Sequence, residues 1–144
     1  MKDLRIPTGV EEYRLNGKLT VHFNPTDVTF LERLRKTSER LSEWQDTLNE
    51  ERERLDAETL RFYLEEMDCY IRRELDTLFD VPICEELFGD VNLCASADGF
   101  PVWANLINAL TDTVEEAIRA ELAAREKRIA KYTEKYAMDP KGEG

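Results

Sequence analysis

The stretch Glu74-LDTLFDVPICEELFGDVNLCASADGFPVWANLINALTDTVEEA-Ile118 contains ten carboxylates and no Lys, Arg or His. The residues before it hold 13 basic and 16 acidic side chains and those after it 7 and 5, so nearly all of the net charge of -11 falls here. Its punctuation divides the chain. Pro82 pushes Val81 out of the helical region, which stops the preceding helix at residue 79 or 80. Residues 82–88 suit a short helix with Asp80 as cap and Gly89 as stop. Val91-Asn-Leu-Cys94 and Ala95-Ser-Ala-Asp98-Gly-Phe-Pro101 follow, a connector of turn residues that also carries large apolar groups and should fold down onto the core. Pro101, with its fixed φ and missing N–H, opens the last helix.

Upstream, residues 57–79 place Leu60, Leu64, Met67, Ile71, Leu75 and Leu78 on one helical face, widened by Phe62, Tyr63 and Tyr70. Before them Leu34, Leu41, Leu48 and Leu55 recur every seven residues, with Phe30, Thr37 and Trp44 between. That is the seam of a core helix or coiled coil over residues 25–52. Asn24-Pro25-Thr26-Asp27 reads as its start, with Asn24 as N-cap, Pro25 at the first helical position and Asp27 near the positive helix end. A polar break within 50–56, with Asp56 as a second N-cap, folds residues 25–79 into an antiparallel helical hairpin.

Residues 11–23 alternate instead. Tyr13, Leu15, Leu19, Val21 and Phe23 flank Asn16-Gly17, a strong β-hairpin signal. A strict two-residue turn would set Leu15 against Lys18 and split the apolar side chains between two faces. A three-residue loop pairs Leu15 with Leu19 and Tyr13 with Val21, which gathers one apolar face to lie on a helix. His22 then points away from that face, a surface strand residue without a catalytic partner. Residues 1–10 read as an extended arm, with Leu4 and Ile6 as its docking groups.

Downstream, residues 101–138 form the last helix, with Val102, Leu106, Leu110, Val114, Ile118, Leu122, Ile129, Tyr132 and Tyr136 at helical spacing. At 1.5 Å per residue it is about 50 Å long, against a compact body of roughly 15 Å radius of gyration. Its end therefore projects or packs on a partner. Residues 139–144 read as a disordered tail. The fold class is mainly α: an N-terminal β-hairpin, an antiparallel helical hairpin, a short helix and a long C-terminal helix in one domain. The expected core is Phe23, Phe30, Leu34, Leu41, Leu64, Met67, Ile71, Leu78, Phe88, Val102, Leu106 and Leu110.

Composition excludes several function classes. The acidic balance argues against a nucleic-acid binder, because phosphate neutralisation needs clustered cations. Arg33, Arg35, Lys36, Arg40 and Arg125, Lys127, Arg128, Lys131 are interleaved with or surrounded by acids and read as solvated helix faces. Neither a signal peptide nor an apolar run of about 20 residues is present, so the expectation is a soluble protein of the cytoplasm with no membrane partner. Cys69, Cys84 and Cys94 have spacings of 15 and 10, which fit neither a disulfide framework nor a zinc site and read as buried free thiols. No phosphate loop, metalloprotease, EF-hand or nucleophile-elbow motif occurs. Adjacent acids such as Glu85-Glu86 and Glu115-Glu116 diverge by about 100° on a helix, a poor arrangement for shared acid/base work. The expectation is no enzyme, no cofactor and no metal.

Three passages resemble a known group: Glu12-Tyr-Arg-Leu-Asn-Gly-Lys-Leu-Thr-Val-His-Phe-Asn-Pro-Thr-Asp27, Cys84-Glu-Glu-Leu-Phe-Gly-Asp-Val-Asn92 and Ala97-Asp-Gly-Phe-Pro-Val-Trp-Ala-Asn-Leu106. Together they are similar to small proteins of the tail-gene cassettes of phages and prophages of low-GC Gram-positive bacteria, some described as tail assembly chaperones. The resemblance implies a factor that binds the tape-measure or tail-tube protein in the host cytoplasm. A structural or adaptor protein of the virion and an acidic inhibitor or DNA mimic binding a basic groove on a host protein are the alternatives. The expected partner surface is rimmed by Asp80, Glu85, Glu86, Asp90 and Asp98, while Phe88, Phe100 and Trp103 either anchor the partner or pack beneath the rim. The leucine seam at 34–55 and the excess length of the last helix also point to a homodimer, with an intramolecular helical hairpin that buries the first seam alone as the alternative.

Overall fold

The computed structural model describes residues 1–137, and the side chains of residues 1–135. The elements are β1 (Glu11–Leu15), β2 (Leu19–Phe23), α1 (Val28–Glu51), α2 (Ala57–Leu75), α3 (Cys84–Phe88), β3 (Ser96–Ala97), β4 (Phe100–Pro101) and α4 (Val102–Ala137). The chain is mainly helical behind an antiparallel β-hairpin, as the periodicity predicts.

The β1–β2 register is the three-residue one, with Leu15 opposite Leu19 and Tyr13 opposite Val21. Asn16 and Gly17 take φ of 50° and 67°, the left-handed conformation that these two residue types tolerate best. One face of the ribbon is therefore apolar, and Val21 and Phe23 are buried. Phe23 stacks on Tyr13 at 4.6 Å and on Phe30 of α1 at 4.4 Å, with Phe79 at 5.4 Å. This cluster seats the ribbon on the helices. His22 lies on the outer face, exposed, 3.1 Å from Glu12. The arm is tied at Thr8, whose carbonyl accepts from Asn24 Nδ2 at 2.9 Å. Contrary to expectation Leu4 and Ile6 are exposed; the tether lies beyond them and leaves both in solvent.

α1 and α2 form the antiparallel hairpin. Arg40 pairs with Glu74 at 2.6 Å, Trp44 packs on Tyr70 at 5.8 Å, and Arg33 donates to the Leu78 carbonyl at 3.2 Å. Leu34, Leu41 and Leu48 are buried within the chain, so this seam leaves nothing for a second copy. Leu55 falls in the turn between the helices.

Several boundaries differ for identifiable reasons. α1 starts at Val28, not Pro25, because Asp27 caps it by accepting from Thr29 N at 3.0 Å. Asn24 instead closes a local turn, its Oδ1 accepting from Thr26 N and Thr26 Oγ1 at 2.8 and 2.9 Å. α2 ends at Leu75 rather than residue 79, and α3 begins at Cys84 rather than residue 82. Asp76, not Asp80, serves α3: its Oδ1 accepts from both Ile83 N and Cys84 N at 2.8 Å. Asp98-Gly99, with φ of 54° and 84°, turns a small β3–β4 ribbon that includes Pro101, so α4 opens one residue later. The 139–144 tail lies outside the described residues.

The core joins all these elements. Leu41, Leu48, Ile71, Leu75, Leu78, Ile83 and Leu93 are almost fully enclosed. Leu64, Phe88 and Val102, expected inside, are half-buried at its edge. The acidic connector does fold down, because Leu93 and Cys94 drop into the core and α4 is anchored on them. Val102 N donates to Ala95 O at 2.8 Å and Trp103 N to Leu93 O at 3.2 Å, pairing helix-start amides.

Three side chains in one row along α2 and its C-cap hold the connector. Asp68 accepts from Leu93 N at 2.7 Å and from Arg72 Nε at 2.9 Å. Arg72 Nη2 donates to the Gly89 and Val91 carbonyls, both at 2.7 Å. Asp76 completes the set. Asp76→Ala leaves two partly buried amides without acceptors and should cost about 1.5–3 kcal/mol, the range for hydrogen bonds to charged groups. Urea unfolding checks this; a value within about 0.5 kcal/mol of wild type would place Asp76 among ordinary surface positions.

Candidate protein-binding site

The hairpin, α3 and α4 do not close on one another, and a cleft of about 630 Å³ lies between them. Leu15 and Phe23 line it from the ribbon, Leu87, Phe88 and Val91 from the connector, and Leu106, Ala109 and Leu110 from α4. Its charged lining groups are Arg14 and Lys18 at the ribbon. Lys18 Nζ also reaches the Leu87 carbonyl at 3.4 Å, which fixes the tip of the ribbon to α3. The arrangement can take an apolar side-chain ridge with a carboxylate at the ribbon end.

The ribbon wall is electrostatically distinct. Tyr13 is half-buried, donates to Glu11 at 2.8 Å and faces Glu116 of α4. Burial first, then the Glu11 hydrogen bond and both carboxylate charges, push its hydroxyl up to about 12. It stays a neutral donor throughout the physiological range.

The structure separates the eight residues singled out from sequence. Phe88 lines the cleft. Asp90 lines a different groove on the α2 side, with Arg52, Arg61 and Asp68. Glu85 and Glu86 project from α3 into solvent while Cys84 and Leu87 turn inward. Asp80 and Asp98 stand exposed in turns, and Phe100 is exposed on β4. Trp103 is buried, its Nε1 donating to Gln45 Oε1 of α1 at 3.1 Å. Of the two roles open to it, it takes the packing one.

Sequence reading missed the ribbon wall of the cleft, although Arg14 and Lys18 flank the quoted Asn-Gly turn. It also missed a second aromatic groove on the helical hairpin, lined by Trp44, Tyr63, Met67 and Tyr70. Phe62, expected to widen the buried face of α2, stands 68% exposed. Among the described residues no group of three His, Cys, Asp or Glu side chains is placed to hold a metal ion. Among the described residues no helix is long and apolar enough to cross a membrane. The chain matches no family model, no curated protein and no solved structure.

The cysteines correct one expectation. Cys84 and Cys94 are buried, but Cys69 is exposed, because the face of α2 that carries it looks away from the core. Burial, followed by the nearby Asp68 charge, raises the Cys94 thiol to about 11, and burial with Asp76 raises Cys84 further. A thiol whose pKa is raised by folding supports the native state below its ordinary value of 9.0 and loses that support as pH rises through the folded value. The thiol contribution to stability should therefore be constant up to pH 9 and decline above it, as denaturant titrations from pH 8 upward will show. In native protein at pH 8 a thiol reagent should modify Cys69 alone; rapid modification of all three would contradict the burial.

Proposed function

We propose that this chain is a phage tail assembly chaperone or a related tail-morphogenesis factor that receives a segment of the tape-measure or tail-tube protein in its cleft. The resemblance of the three sequence passages supports the class of role. The observation that carries the binding reading is the cleft between the ribbon, α3 and α4, apolar in lining and bordered by Arg14 and Lys18. A segment of an unassembled tail protein that presents an apolar stripe would shield that stripe here, with a carboxylate directed to the two cations.

The acidic stretch then has a separate task. Glu85, Glu86 and Asp90 are exposed outside the cleft, where their field speeds encounter with a basic partner and contributes little to holding it. The two parts are separable by kinetics. Ala109 and Val91 are exposed and line the cleft, so Ala109→Glu and Val91→Asp should weaken binding of a tape-measure or tail-tube segment at least about tenfold, through faster dissociation. Reversing Glu85, Glu86 and Asp90 to Lys should slow association and reduce its salt dependence while leaving dissociation unchanged. Surface-immobilised kinetics with circular dichroism as a fold control measures both. Cleft variants that bind like wild type would move the site elsewhere, and wild-type protein that binds neither tail component would end the reading.

A further inference from the structure

α4 contains 36 residues, about 54 Å at 1.5 Å per residue. Its first turns bury Trp103, Ile107, Leu110 and Val114 against the body. Beyond Ala117 every described side chain of the helix is exposed. The apolar series nevertheless continues along Ile118, Leu122, Ile129 and Tyr132, exposed by 37%, 48%, 57% and 52%. With Arg125 these positions alternate spacings of four and three, a heptad seam.

The charges beside the seam choose what covers it. Arg119 and Glu126 occupy one edge, and Glu121 and Arg128 the other. None of the four forms an ion pair among the described residues. A second copy laid antiparallel, with Ile118 opposite Ile129 of that copy, sets Arg119 beside its Glu126 and Glu121 beside its Arg128. The two-fold axis makes each contact twice. A parallel pair would set Glu121 against Glu126 and Arg125 directly against Arg125. In the antiparallel pair Arg125 meets Leu122, over which its aliphatic stem can lie with the guanidinium in water.

We propose that the projecting part of α4, residues 118–132, is a self-recognition surface that forms an antiparallel two-fold dimer through this seam. The seam lies beyond the cleft, whose last lining residue on α4 is Thr113. Dimerisation leaves two clefts carried on one rod, and its failure would not touch the cleft reading.

Sedimentation equilibrium of the full chain should give twice the 16.8 kDa monomer mass at tens of micromolar. Ile118→Asp and Ile129→Asp should each return the monomer with the near-ultraviolet signal of Trp44 and Trp103 intact. Glu121→Arg should weaken the dimer at least about fivefold, and adding Arg128→Glu should restore it, because edge charge pairs of this kind set orientation. Wild-type protein that stays monomeric overturns the proposal, including the case in which α4 instead captures a helix of another protein. A dimer tightened by Glu121→Arg overturns it too, since only a parallel pair gains from that change.

Discussion

The fold depends on three charged side chains, Asp68, Arg72 and the C-cap Asp76, in one row along α2 and its end. Asp68, Arg72 and Asp76 are spaced by four residues, so they stand above one another. Asp68 and Arg72 are only 19% and 20% exposed. Their charges are therefore less screened than those of the exposed Arg35 pairs with Glu32 and Glu39. They also do more than pair with each other. Together with Asp76 they satisfy the Ile83, Cys84 and Leu93 amides and the Gly89 and Val91 carbonyls. A connector with little regular structure cannot satisfy these groups itself, and leaving them unpaired at the edge of the core would cost more than the hydrogen bonds return.

The cleft follows from that arrangement. Once the connector is strapped to α2, Leu87 and Cys84 face inward and Phe88 and Val91 form a wall. α4 is then launched from the Leu93 and Ala95 carbonyls along the opposite side. The ribbon supplies the third wall, held by the Phe23–Phe30–Phe79 cluster. The segment free of Lys, Arg and His is not free of cations in space. Arg33, Arg40, Arg72 and Lys18 reach it from the elements around it, and three of the four bind its backbone carbonyls. Charge that looks unbalanced along the chain is partly balanced where the chain folds.

Local and periodic features were legible. Asn16-Gly17 with its flanking alternation specifies both the ribbon and its register, because one register alone gathers the apolar groups on one face. Seven-residue leucine spacing marks α1, and the break at Asp56 marks the hairpin. Non-local capping was not legible. Asp80 is the nearer candidate for α3 in sequence, yet Asp76 reaches across the turn to take that role. The periodic face of α2 likewise placed Ile71 and Leu75 in the core but could not show that its Cys69 side looks outward. Of the candidate site, Phe88 lines the cleft, while its ribbon wall and its two cations come from residues distant in sequence from the acidic stretch.

Amide hydrogen exchange at Ile83, Cys84 and Leu93 tests most directly whether side-chain carboxylates on α2 hold the connector. These amides donate to Asp76 and Asp68 rather than to backbone. If the strap is as central as its geometry indicates, they exchange as slowly as the Ile71 and Leu75 amides inside α2, through global unfolding. Exchange at the rate of the exposed Asp98 turn would show a connector that opens independently, and the cleft would then have no fixed wall.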